Sequence, residues 1–431
     1  MREDVDLTLE RNCSQDCDGA RTVETPDRRL KSLELFAGAG GLALGTGLAG
    51  FETVAAVERD KWAADTLGEN KARGYPLLGQ MEVIRDDIRA VDYGRFPRDI
   101  DLVTGGPPCQ PFSIGGKHRA YDDSRDMFSA FADAIALLEP RAFIIENVKG
   151  LTRASFANYL AYIELRVSMP GLVRKERETW PEHHKRLERE KSSLGDKGLR
   201  YNTFRRLFNA ADYGTPQKRE RVFIVGFRDD QDVRWSFPEP THYHDVLLHS
   251  QWITGEYWER HKVAIKHRGE PPAVIEKKLE SLRDIFFPDW IRPWRTVRDA
   301  LQGLPGPRTD RRESRSVLNH RLQPGARAYV GHTGSPIDMP SKALKAGDHG
   351  VPGGENMMVQ PDGSVRYFTV REAARIQGFP DGYIFHGSWT ESMRQIGNAV
   401  PVMLAQAVAA SVAQKLLEAE LKALARRNGV H

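Results

Sequence analysis

Along the first 230 or so residues, apolar and polar positions repeat one arrangement: a short, mostly apolar run, a break rich in glycine, proline or acids, then a longer mixed stretch. The apolar runs are Leu33-Glu34-Leu35-Phe36, Thr53 to Val57, Val83-Ile84, Asp101-Leu102-Val103-Thr104, Ala142-Phe143-Ile144-Ile145 and Val222 to Gly226. Short apolar runs closed by turn residues read as buried strands. Lys61 to Ala72 and Ser124 to Leu138 read as helices, the second stopped by Glu139-Pro140. Strands alternating with helices predict an α/β fold built on an open sheet. Residues 171–200, of mixed charge with Gly and Ser, read as a surface insertion with a solvated helix face. From about 229 to 365 the periodicity is lost. It returns with a strand-helix entry at Tyr367 to Gly378, and Gly397-Asn398-Ala399-Val400-Pro401 opens a long amphipathic C-terminal helix. The parts flanking 229–365 read as one interrupted domain.

A chain of 431 residues exceeds what one simple core serves, so two domains are expected. With 40% hydrophobic and 28% charged residues the composition is that of an ordinary soluble globular protein. No apolar run approaches the roughly 20 residues of a membrane helix. Residues 1–30 carry acids and arginines without an apolar h-region and read as a mobile tail. Of the cysteines Cys13, Cys17 and Cys109, two lie in that tail, which excludes a disulfide framework and fits a reducing cytosol. The tail pair lacks the further ligands that zinc requires and reads as two free thiols, so no metal site is expected. Net charge is only +4, but residues 255–330 hold 16 Lys/Arg against 10 Asp/Glu, leaving −2 for the rest. The whole stretch from about 229 to 365, with Trp252, Trp258, Trp290, Trp294, clustered arginines and glycine-rich loops at Gly331-His332-Thr333-Gly334 and Gly347 to Gly354, is a candidate for groove contacts with nucleic acid.

The chemistry gathers at the ends of the predicted strands. Gly38-Ala39-Gly40-Gly41-Leu42-Ala43 is a G-x-G-x-x-A turn between strand and helix, where glycine permits a tight bend and close approach of a ligand. The strand Thr53 to Val57 then delivers Glu58, 20 residues beyond Gly38, where an acid meets a ribose hydroxyl. Together these predict a nucleoside cofactor. Asp86-Asp87-Ile88 places acids at another strand end, one of them able to receive an adenine amino group, although exposed turn acids look the same. Cys109 follows a strand on a loop stiffened by Pro107, Pro108 and Pro111. A free cysteine is as often a buried filler as a nucleophile. Glu146, at the end of a neighbouring strand, is placed to share a pocket with it. Arg219 and Arg221, at alternate positions entering a strand, point to one face.

In the order Phe36-x-Gly38-x-Gly40-Gly41, Pro107-Pro108-Cys109-Gln110, Glu146-Asn147-Val148, Gln217-x-Arg219-x-Arg221 and Gly397-Asn398-Ala399-Val400-Pro401, the chain resembles the DNA cytosine-5 methyltransferases of bacterial type. The resemblance covers about 31–227 and 366–415. It implies a Rossmann-like S-adenosylmethionine-dependent methyltransferase sheet with a smaller, irregular target-recognition domain across a DNA cleft. The expected organisation is a tail over 1–30, a catalytic domain over 31–228 and 366–431, and recognition over 229–365. The implied reaction flips a cytosine out of a specific site in double-stranded DNA and methylates carbon 5 through a covalent adduct with Cys109. Glu146 is the implied partner of ring nitrogen 3, and Arg219 with Arg221 the pair on the cytosine carbonyl and nearby backbone. Implied for the cofactor are Phe36, Gly38, Gly40 and Gly41 around its methionine part, Glu58 on ribose, Asp87 and Ile88 at adenine, and Pro108 and Asn398 lining the pocket. A monomeric cytoplasmic, nucleoid-associated enzyme paired with a restriction endonuclease is expected. Two positions depart from the pattern: Arg59 stands where some members place an aromatic beside adenine, and Ala343-Leu344 where many have Thr-Leu. An RNA cytosine-5 methyltransferase or a solitary regulatory DNA enzyme are the alternatives. A NAD-dependent dehydrogenase explains the glycine turn but not Pro-Pro-Cys-Gln beside Glu-Asn-Val.

Overall fold

The computed structural model describes residues 28–108, 127–192, 198–307, 317–330, 333–346 and 354–427. Cys13, Cys17, Cys109 and the glycine-rich loops at 331–332 and 347–353 lie outside the described residues.

In chain order the first elements are β1 (Lys31–Leu35), α1 (Gly41–Leu48), β2 (Glu52–Val57), α2 (Lys61–Ala72), β3 (Glu82–Ile84), β4 (Leu102–Gly105), α3 (Met127–Leu138) and β5 (Ala142–Val148). They continue with α4 (Ala157–Ser168), α5 (Trp180–Ser192), β6 (Tyr201–Asn209) and β7 (Glu220–Arg228). Seven strands form one sheet in the order β3-β2-β1-β4-β5-β7-β6. The first five run parallel, and β7 enters antiparallel between β5 and β6. After β1 the chain moves outward to β3 and then returns to β4 on the other side, so the order reverses between β1 and β4. At such a switch the loops leaving the two strands diverge and open a crevice at their carboxyl ends. The glycine turn leaves β1 there, and Gly106-Pro107-Pro108 leaves β4.

Helices cover both faces, as a parallel sheet requires. Leu33, Leu35 and Ile145 pack against Phe131 and Ile135 of α3 and Ile163 of α4. On the other face Ile144, Phe223 and Val225 meet Leu404, Val408 and Val412 of the C-terminal helix. That helix lies so close to α1 that a Cβ on Gly45 would sit 2.4 Å from the Cβ of Ala405.

The remaining elements are β8 (His242–Tyr243), α6 (His244–Trp252), α7 (Glu256–Arg260), α8 (Glu276–Leu282), β9 (Arg292–Pro293), α9 (Val297–Leu301), β10 (Ser335–Pro336), β11 (Met357–Val359), β12 (Val365–Tyr367), α10 (Val370–Ile376), α11 (Trp389–Asn398) and α12 (Val402–Arg427). Leu247, Tyr257, Trp258 and Val263 form a small core of their own. Val297, Ala300, Leu344 and Met358 instead join Ala373, Ile376 and Val402.

Two expectations change, and one helix is added. Residues 171–200 are not only solvated surface: α5 buries His183 and Leu187 and packs Trp180 edge-on against Tyr159 and at a tilt against Tyr162 of α4. Trp180, His183, His184 and Leu187 fall on one helical stripe that the surrounding charges obscure. The Gly397–Pro401 motif leads directly into the long helix α12, and its first two residues also end a further helix, α11, which the pattern did not predict. Finally, α11 and α12 together contain an apolar window long enough to cross a membrane, with mean hydropathy 1.6, and 67% of that window is buried inside the protein.

Candidate active site

The turn after β1 requires its glycines. Gly38 and Gly40 have φ of 54° and 86°, and Phe36 itself is left-handed at 54°. A Cβ on Gly41 would lie 2.4 Å from the carbonyl oxygen of Val400. Gly40 does not line the cavity described below; it lies against Leu67 and Tyr383 and serves the bend. Glu58 closes the turn from β2, with Oε2 accepting from the Gly38 N–H at 2.8 Å and Oε1 from the Asp60 N–H at 2.6 Å. Burial raises its pKa, and the two backbone donors oppose that shift.

On the other side of the switch, Gly105 has no room for a side chain, since a Cβ would lie 2.6 Å from the Leu35 carbonyl oxygen. Asn147 Nδ2 donates to the Pro107 carbonyl at 2.8 Å and ties the proline loop to β5. Cys109, the next residue but one, lies outside the described residues.

Glu146 is not a strand-end acid; β5 continues through it to Val148, because β7 pairs along its full length. The register sets Arg221 opposite Val148 and Phe223 opposite Glu146. Arg221 is therefore the diagonal, same-face neighbour of Glu146, a separation that long side chains bridge. Its Nε lies 2.6 Å from Glu146 Oε1, close but not aligned as a hydrogen bond. Burial raises the Glu146 pKa against the pull of Arg221 and Arg219. Arg219 has a different role. It is 2% exposed and donates to the carbonyls of Leu344 at 2.8 Å, Gly397, and Ala399 at 3.4 Å. Gln217 works beside it, accepting from the Leu344 N–H at 3.0 Å.

These walls enclose a cavity of about 870 Å³, within the usual range for a ligand pocket. Phe36, Gly38, Gly41, Glu58, Asp87, Ile88, Pro108, Glu146, Arg219, Arg221 and Asn398 all line it. Asp87 is held by Arg89 at 2.7 Å and more loosely by Arg59 at 3.4 Å, and these arginines keep its carboxyl well below the usual carboxylate range.

Two features escaped the sequence. Residues 343–346 form a further wall, pressed so close that a Cβ on Gly397 would lie 2.4 Å from the Ala346 nitrogen. Glu34 also lines the cavity, 1% exposed, with Oε2 lacking a hydrogen-bond partner among the described residues. Burial, and then the nearby Glu58, push its pKa well up. A charged residue inside a buried parallel strand was the available signal.

The family model described as C-5 cytosine-specific DNA methylase matches residues 30–165 and 173–414, running through the stretch that the short motifs skip. The Type II methyltransferase M.PspPI of Psychrobacter sp. is 32% identical over 398 residues, covering 91% of this chain and 80% of that protein. M.NgoPII of Neisseria gonorrhoeae, also a Type II methyltransferase, is 30% identical over 395 residues, covering 90% and 96%. Among solved structures, a chain encoded within an E. coli prophage superposes with TM-score 0.55 at 22% identity, covering 90% of this chain and 99% of that one. The Dnmt2 methyltransferase of S. pombe superposes with TM-score 0.50 at 19% identity, covering 91% and 99%.

Proposed function

The chain belongs to the C-5 cytosine-specific DNA methylase family, and from that premise we propose how its cavity serves a DNA (cytosine-5-)-methyltransferase. The observation that carries the reading is the buried Glu146–Arg221 pair in one cavity with the glycine turn and Glu58, at the reversal point of the sheet.

The donor set fits S-adenosylmethionine. Glu34 and Glu58 are carboxyls facing a cavity that would receive a cation, and the Oε2 of Glu34 has no hydrogen-bond partner among the described residues. Glu58 would hold the ribose, Asp87 and Ile88 the adenine, and Phe36, Gly38 and Gly41 the methionine part, with Pro108 and Asn398 closing the pocket. Bound there, the cofactor supplies an electrophilic methyl group. Everything else falls to the chain and the base.

Carbon 5 of cytosine is a weak nucleophile. Attack by the Cys109 thiolate on carbon 6 forms a sulfur–carbon bond and makes carbon 5 enamine-like, able to take the methyl. Electron density moving toward ring nitrogen 3 is met by Glu146, whose carboxyl is shifted by burial toward the protonated form against the pull of Arg221 and Arg219. Arg221 faces the base carbonyl and orients Glu146, while Arg219 holds the surrounding backbone. Loss of the carbon-5 proton and departure of the thiolate restore the ring. None of these atoms is reachable in a stacked duplex, so the cytosine is flipped out at a few kcal/mol.

Residues 229–365 would choose the site, with 31–228 and 366–431 as the catalytic part. The enzyme would act as a monomer within a restriction-modification system, its endonuclease sharing the site without needing to bind it. Incubation with labelled S-adenosylmethionine and duplex DNA should yield 5-methylcytosine. Label on an exocyclic amine, or on tRNA in preference to DNA, would overturn the reading.

A further inference from the structure

Two glutamines bond to the cavity wall without lining the cavity. Gln217, just ahead of β7, and Gln377, at the end of α10, are both 0% exposed, and buried amides need partners for the groups they carry. Theirs join end to end. The Leu344 N–H donates to Gln217 Oε1 at 3.0 Å, Gln217 Nε2 donates to Gln377 Oε1, and Gln377 Nε2 donates to the Ala399 carbonyl. The ends fix the sense of the row. A backbone N–H only donates and a carbonyl only accepts, so each amide must turn its oxygen toward Leu344 and its nitrogen toward Ala399. Hydrogen bonds aligned in this way polarise one another. Leu344 and Ala399 themselves line the cavity, the first within the wall 343–346 and the second within the wall 397–400.

We propose that Gln377 is a positioning residue that couples the binding of cofactor to the binding of duplex, because its amide makes the two walls move as one. The inference rests on the reading above, in which Asn398 closes the cofactor pocket and residues 229–365, which include the wall 343–346, choose the site. The surrounding bonds support it. Ser341 donates its N–H to the Pro216 carbonyl at 2.9 Å and accepts from the Lys218 N–H at 2.8 Å, which ties the chain entering one wall to the segment that carries Gln217. The Gln377 carbonyl accepts from the Val402 N–H at 3.1 Å, which ties the other end of the row to the start of α12. Arg219 spans the same two walls, donating to the carbonyls of Leu344 and Ala399. A ligand that orders either wall therefore orders the other, and the second ligand meets a wall already set. Such coupling is reciprocal. Gln217 adjoins the arginines of the cavity in sequence, so Gln377 is the member of the row whose removal leaves the cavity's own residues in place.

The probes are S-adenosylhomocysteine and a duplex carrying the site read by bisulfite sequencing of DNA from cells expressing the protein. In calorimetry of the parent, saturating duplex should tighten S-adenosylhomocysteine roughly tenfold. Gln377→Met keeps the length of the side chain and removes both hydrogen bonds, so that factor should fall to roughly threefold or less. A glutamine that only supports the fold would weaken S-adenosylhomocysteine alike with and without duplex, and an unchanged factor in the variant would overturn the coupling. So would a parent that forms 5-methylcytosine while duplex leaves its affinity for S-adenosylhomocysteine unaltered. Should the variant fail to fold, hydrogen exchange of the parent decides. S-adenosylhomocysteine should slow the amides of Lys218 and Ser341, which do not line the cavity, more than those of α5; equal slowing, or none, would overturn the proposal. A parent that binds neither probe would remove the methyltransferase reading and the coupling with it.

Discussion

Glu34 carries the clearest unmet chemical need in the cavity, a buried carboxyl whose Oε2 has no hydrogen-bond partner among the described residues. Its raised pKa has a definite sign. The folded protein holds the proton more tightly than the unfolded chain, so this group's contribution to stability is lost as pH rises above the ordinary glutamate range. Glu34→Gln should remove that decline from denaturation curves of the cofactor-free protein and weaken S-adenosylmethionine in calorimetry; an unchanged pH profile would mean the group is ionised and satisfied. Glu58→Ala removes a charged hydrogen-bond partner, roughly 1.5 to 3 kcal/mol, and should raise the Michaelis constant for S-adenosylmethionine. Because Glu58 also holds the Gly38 N–H, the turn should loosen as well; unaltered cofactor binding would leave it a purely structural acid. At this scale the sequence was half legible. Spacing singled out Glu58, but a strand pattern does not reveal what lies over Glu34. The motif treated Arg219 and Arg221 as a pair, although backbone carbonyls hold one and Glu146 the other.

That division arises from elements, since β5 and β7 pair antiparallel and only their register sets Arg221 diagonal to Glu146. Arg219 instead joins three segments at Leu344, Gly397 and Ala399. Arg219→Ala should therefore lower stability in urea by on the order of 3 kcal/mol, through buried carbonyls left unpaired. Arg221→Ala leaves Glu146 buried without its cation, so it should also cost a few kcal/mol of stability, and it should abolish turnover at temperatures where the variant is still folded. Turnover that survives in folded Arg221→Ala would contradict its proposed role. Strands β1, β2 and β4 and helix α2 were legible because runs of one polarity end at glycine, proline or acids. Helices α4 and α11 and strand β6 were not, since their apolar stripes are interrupted by charges that only tertiary packing explains. The extension of β5 through Glu146 depends on β7, 72 or more residues later in the chain, which no local pattern reports.

For the whole molecule, the sheet reversal between β1 and β4 brings a glycine turn, a proline-stiffened loop and a carboxyl–guanidinium pair to one cavity. The alternation of strands and helices made that architecture readable. The arrangement of residues 229–365 was not readable, because part of the stretch builds its own small core and part completes the main one. Replacing 229–365 with the corresponding block of a relative should change the methylated sequence while preserving transfer, as read by bisulfite sequencing; an unchanged site would contradict its proposed role. The central claim is methyl transfer to carbon 5 through a covalent bond from Cys109, and a single trapping experiment tests it most directly. Fluorine at carbon 5 cannot leave as a proton does, so elimination stops with the enzyme still attached to the base. Duplex DNA with 5-fluorocytosine in the recognised site, incubated with S-adenosylmethionine, should give a complex that survives denaturing electrophoresis and disappears in Cys109→Ala. A parent enzyme that methylates its site yet never forms that complex, or a Cys109→Ala variant that still does, would contradict covalent transfer through Cys109.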